Sequence, residues 1–282
     1  MVDKSPLHTD AARDLLQRRY FTDKHLILDG VDNVEQEIDE NGHLVAIRFP
    51  ERYAAQEEKF DAIATLHEMG HFVTLAPKRI VREGFGFGGG IPEFGNRPWS
   101  RIYTKAVSHL PEAQAFAWEY ILTQDLFSVD IPLREHVESL AYAADFYSYP
   151  GLTKDERLDW VEALTAQYVD EYRKGTSFDE LWAARVAMLP ELIAAENARI
   201  DVLNTEPVSS SDPIEVFDSW TGRVDRHELD GLVMWRAVFE DSNDGEMTYR
   251  DFESEASAMK WIERTIIAYS DEPENESTAP GM

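Results

Sequence analysis

Two histidines four residues apart, His67 and His71, stand in the string LHEMGH with Glu68 beside the first. On an α-helix, residues i and i+4 lie on one face, so both imidazoles can reach a single metal ion. Glu68 falls on the rim of that face, where its carboxylate can take a proton from a metal-activated water. The chain has no cysteine, so any metal must be held by His, Asp or Glu. This donor chemistry implies one Zn2+, and a zinc hydrolase needs three protein ligands plus one position open to water. The rival reading of the two histidines is a buried, hydrogen-bonded pair.

The third ligand has to come from another element. A third histidine six residues beyond His71 is excluded, because Pro77 stands there and Thr74 replaces the glycine that such a motif carries. The other common solution is a glutamate on a following helix. The segment PEAQAFAWEYIL offers Glu112 in its first turn and Glu119 two turns on, both on one face with Ala115 and Phe116. Glu112 is the first choice, with a solvated partner of the helix dipole as its other reading. Glu119 is the alternative ligand, or else an acceptor for the second nitrogen of a ligand histidine. His109 and Glu93 are further candidates. Tyr103, Tyr120, Tyr142, Tyr147 and His136 could each help to stabilise an oxyanion, and spacing does not choose among them.

These side chains need two helices that meet. Phe60, Ile63, Ala64, His67, Gly70, His71 and Thr74 fall on one helical stripe, and Ala62, Leu66, Met69 and Val73 on the adjoining one. The spacing predicts a helix over about 54–75, buried on most sides. Gly70 is a poor helix former, so its place mid-helix implies a close approach to the backbone. Ala115 on the later helix is small enough to permit one.

LHEMGH followed by EAQAFAWEYIL resembles the ImmA/IrrE-type zincin metallopeptidases, over about residues 55–125. The resemblance implies His67 and His71 as zinc ligands and Glu68 as general base. It implies Glu112 as third ligand if the Glu-x-x-Ala spacing is aligned. Alignment on Phe116-Ala117 puts Leu110 at that position instead and leaves the third ligand open.

The fold class expected is α+β. A mainly helical zincin-like domain with a small antiparallel sheet would span 1–205, followed by a linker at 206–213 and a small ββα unit at 214–270. The acidic tail, 271–282, is expected to be disordered. A short helix capped by Thr9 opens the chain, and Asn41-Gly42 marks a hairpin. IVREGFGFGGGIPEFG begins like a strand and dissolves into glycine. Its Gly84-x-Gly86-x-x-Gly89 makes a weak dinucleotide fingerprint, because Ile91-Pro92 follows where a helix should start. This segment reads as a lid over the metal cleft or as an ordinary surface loop. Pro111 opens a helix, three more follow, and Pro190 should kink or split the last. A C-terminal hairpin turns at Asn243–Gly245, before a covering helix.

Acidic residues number 54 against 27 basic, a formal net charge of −27. Such a chain repels phosphate backbones, so nucleic acid is not an expected partner. No run of about 18 apolar residues occurs and no signal peptide is evident, so no membrane partner and a cytoplasmic location are expected. The function expected is a zinc-dependent peptidase acting on a peptide or protein substrate, with Glu68 as general base. The alternatives are a metal-binding zincin scaffold that acts by interaction without catalysis, and an acidic mimic of DNA.

Overall fold

A computed structural model describes residues 14–21, 25–28, 35–39, 41–49, 58–83, 109–127, 130–139, 153–217, 219–243, 245 and 247–270. The glycine-rich segment from Gly84 on, Glu93, Tyr103, Tyr142, Tyr147, the Thr9 cap and the acidic tail all lie outside them. The architecture is α+β. Two compact units divide at Glu196 and Asn197, upstream of the linker expected at 206–213.

In the first unit a π-helical turn, Gln17–Phe21, precedes a three-stranded sheet of β1 (His25–Leu28), β2 (Glu35–Ile38) and β3 (Leu44–Phe49). The order is β1-β3-β2, with β2 antiparallel and β1 parallel to β3. The hairpin turns at Asn41-Gly42, as the sequence predicts. Asp39 Oδ1 accepts the backbone N–H groups of Asn41 and His43 at 2.9 and 2.8 Å. Gly42 has φ +81°, and a Cβ there would stand 2.6 Å from Pro190 Cα, so both conformation and space demand glycine.

Six helices make up the rest of this unit as described: α1 (Glu58–Thr74), α2 (Pro77–Glu83), α3 (His109–Leu126), α4 (Leu133–Ser139), α5 (Lys154–Tyr172) and α6 (Phe178–Leu203), whose last turns extend into the second unit. The strand-like start at Ile80 is in fact helix α2. Pro77 pre-sets φ for its first turn, and Ile80 is fully buried on the helical core. An apolar pair that short carries no period of its own, so tertiary burial decides its conformation. α6 runs as one helix through Pro190 without the expected split. Leu189, the residue before the proline, is fully buried in the core, and this packing favours the continuous helix over the missing N–H.

α1 is buried on nearly every side: Leu66, Met69 and Phe72 are fully covered in the core, while His67 and His71 turn toward α3. Its C-terminus is tied down by Arg185 of α6, whose Nη2 donates to the carbonyls of Val73 (3.1 Å) and Leu75 (2.8 Å). Those are carbonyls that a helix end leaves without intrahelical partners.

The second unit, beyond Asn197, is an antiparallel sheet covered by a helix. Its strands are β4 (Ser209–Ser210), β5 (Ile214–Phe217), β6 (Trp220–Leu229), β7 (Leu232–Asp241) and β8 (Met247–Phe252), with α7 (Glu255–Ser270) after them. The order is β4-β6-β7-β8, and β5 also pairs with β6. The expected ββα is present as β7, β8 and α7. β4 falls within the stretch read as linker, and β5 and β6 add strands the sequence reading did not name. The β6–β7 hairpin turns on Asp230 (φ 51°) and Gly231 (φ 82°), two successive left-handed residues, as a type I′ turn needs. α7 sets Ala258, Trp261 and Ile262 against the sheet, and the Trp261 ring lies 4.9 Å from that of Phe239. Among the described residues, no helix is long and apolar enough to cross a membrane.

Candidate metal centre

The centre is built where α1 crosses α3. Glu112, Ala115, Phe116 and Glu119 recur at the 3- and 4-residue intervals that line one helical face, and all four are buried. At the crossing point Gly70 meets Ala115. A Cβ on Gly70 would lie 2.8 Å from the Ala115 carbonyl oxygen and 2.9 Å from its Cα. Two minimal side chains therefore let the backbones touch, and this brings the imidazoles of α1 within reach of the carboxylates of α3.

Glu112 Oε2 lies 3.0 Å from His67 Nε2 and 3.3 Å from His71 Nε2. Among the described residues, His67, His71 and Glu112 form the group whose ligand atoms all lie within 4.8 Å of one another. Glu119 approaches His67 from the other side, its Oε2 3.0 Å from Nδ1. The two α3 carboxylates that the sequence left as rivals thus divide the two nitrogens of one imidazole between them. With the Nδ1 proton donated to Glu119, Nε2 faces the Glu112 oxygen, and two lone pairs cannot sit 3.0 Å apart without a proton or cation to share. The donors fit a metal: tetrahedral bonds of about 2.0–2.1 Å imply donor–donor edges of about 3.3 Å.

Burial alone would raise the Glu112 carboxyl, but the charges and hydrogen bonds of His71 and His67 hold it well below the usual carboxylate range. For His67, burial acts to lower its pKa and the hydrogen bonds of Glu112 and Glu119 outweigh it, pushing it up to about 10. A metal ion bound there would have to displace the proton from this imidazole.

Glu68 is 1% exposed. It stands three residues before His71 on the helix, the spacing of surface neighbours, and so flanks the histidine pair on the His71 side. Phe116 places its ring 4.6 Å from that of His67 and closes off the apolar side. His136, considered from sequence only as an oxyanion donor, is fully buried and gives its Nδ1 to Glu119 Oε1 at 2.6 Å. The half-buried Tyr120 meets the His136 ring edge-on at 5.4 Å. His109 opens α3, but its side chain is outside the described residues. The role of His136 left little trace in the sequence beyond its place beside the buried Val137 on a short helix.

The crossing makes its own prediction. On an exposed helix, Gly→Ala stabilises by about 1 kcal/mol. Here the new methyl strikes backbone atoms, which no rotamer change can move. Gly70→Ala is expected to lower stability by about 1–3 kcal/mol and to weaken zinc binding with it. Urea unfolding of the metal-free protein and zinc competition measure the two; a gain in stability would contradict the tight crossing.

No family model, curated protein or solved structure matches this chain.

Proposed function

We propose that the chain is a zinc-dependent peptidase, with His67, His71 and Glu112 as metal ligands and Glu68 as general base. One observation carries the reading: two imidazole nitrogens converge on a single carboxylate oxygen, at 3.0 and 3.3 Å, on a helix that also carries Glu68. Three protein donors are the number found at catalytic rather than structural zinc sites, which close with four. Zinc held there would polarise a substrate carbonyl and make a water more acidic. Glu68 would hold the proton given up by a water whose oxygen bonds to the carbonyl carbon. The same carboxyl then gives the proton to the leaving amine, and the products are a free acid and a free amine. Glu119 at Nδ1 favours the His67 tautomer that leaves Nε2, the nitrogen facing Glu112, free to act as a ligand. The likeness of LHEMGH and EAQAFAWEYIL to the ImmA/IrrE-type motifs points the same way.

A second reading, a metal-holding scaffold that acts by binding a partner, is favoured by burial. His67, Glu68 and His71 are 0%, 1% and 3% exposed, so a peptide must gain access before catalysis. One experiment separates the two. Elemental analysis of the purified full chain is expected to give one zinc per chain. Cleavage of a quenched-peptide library should stop with a chelator and return with zinc. Zinc without cleavage supports the scaffold, and no zinc at all ends both readings.

A further inference from the structure

Glu119 is a buried carboxylate with a histidine on each oxygen. Its Oε2 accepts a hydrogen bond from His67 Nδ1 at 3.0 Å, and its Oε1 accepts one from His136 Nδ1 at 2.6 Å. Neither Glu119 nor His136 has any exposed surface. A carboxylate in such a place loses its orientation when one of its donors is removed, because no bulk water replaces it.

His136 is itself braced. The Pro132 carbonyl accepts the backbone N–H groups of Glu135 and His136 at 2.9 and 3.4 Å, which starts α4. Arg134, also on α4, donates through Nη1 to Asp159 (2.6 Å) and Glu162 (3.2 Å) of α5, and through Nε to Glu138 (2.6 Å). Val137, the next residue, is 2% exposed. A seven-residue helix is thus pinned at its surface by Arg134 so that His136 points inward.

We infer that His136 is a positioning residue of the metal centre: through Glu119 it fixes the ring orientation and tautomer of His67. The inference rests on His67 being a metal ligand. It extends the centre to a third helix and assigns α4 a part in metal affinity through Glu119.

Chelator competition on the full chain measures the zinc dissociation constant for the wild type and four variants. Asparagine places its amide nitrogen where Nδ1 stands, whereas glutamine reproduces Nε2. His136→Asn is therefore expected to keep zinc affinity within about threefold of the wild type, and His136→Gln to weaken it about tenfold. Glu119→Gln is expected to weaken it by about 10–100-fold. The double variant Glu119→Gln/His136→Gln should bind zinc like Glu119→Gln alone, because residues that act through one another do not add. A purely structural role predicts additive losses and no rescue by asparagine. Either of those results, or an unchanged affinity in His136→Gln, overturns the inference while the metal centre stands. A wild type that binds no zinc removes the metal centre and the inference together. Should His136→Gln fail to fold, Arg134→Ala, which loosens α4 without touching Glu119, takes its place. Zinc affinity must fall in it too, and an unchanged value overturns the inference.

Discussion

Glu68→Gln is expected to leave the zinc content at one per chain and to reduce peptide cleavage by about 10²–10⁴-fold. The amide matches the carboxylate in shape, so α1 keeps its packing, but it cannot accept a proton from water. The proposed ligands His67, His71 and Glu112 keep their donor atoms, so zinc affinity should be unchanged. At 1% exposure the Glu68 side chain is buried, and exchanging a charge for an amide there does not raise the cost of burial. Thermal unfolding with zinc present should therefore match the wild type within a few degrees. Cleavage that survives in this variant, with zinc bound, would remove Glu68 from the mechanism.

The second large effect concerns the third ligand. Glu112→Ala is expected to abolish stoichiometric zinc at micromolar concentrations, whereas Glu119→Ala should retain it with an affinity reduced by about 10–100-fold. The distinction follows from which nitrogen each carboxylate meets. Glu112 faces the Nε2 atoms of His67 and His71, whereas Glu119 meets His67 at Nδ1 and spends its other oxygen on His136. Glu112→Ala also leaves two buried imidazoles without the oxygen they share. The metal-free variant should lose about 3 kcal/mol, the usual cost of removing one partner from a buried ion pair. Elemental analysis and urea unfolding report the two effects separately. Zinc retained in Glu112→Ala and lost in Glu119→Ala would exchange the roles of the two glutamates.

Much of this centre is legible along the chain, because helical period is a local property. His67 and His71 share a face by spacing alone, and Gly70 announces a close approach before any partner is known. The choice between Glu112 and Glu119 is not local. Both lie on the same face of α3, and only the height at which Gly70 meets Ala115 decides which one lies level with both Nε2 atoms. His136 escaped for the same reason, since its partner Glu119 is 17 residues away on another helix. In the C-terminal sheet, the β7–β8 hairpin was legible, and β6 was obscured by chemistry rather than by distance. β6 reads WTGRVDRHEL, and several of its polar residues find partners within the sheet unit: Arg223 pairs with Asp225 and Glu240, and His227 gives Nδ1 to the Thr205 carbonyl. With both faces of the strand partly covered, alternation of apolar and polar residues fades. The Asp230-Gly231 turn was the signal that remained.

The crossing of α1 and α3 also joins two distant parts of the chain. His67 and Glu112 are 45 positions apart. A cation that bridges them is a cross-link that forms without a covalent bond and opens to a chelator. Because such an ion is held by the folded chain and released by the unfolded one, its binding free energy adds to the free energy of folding and grows with free zinc. In a protein without a single cysteine, the metal would thus serve as the staple that thiols provide elsewhere. Zinc supply would then set how long the folded chain survives as well as whether it can act.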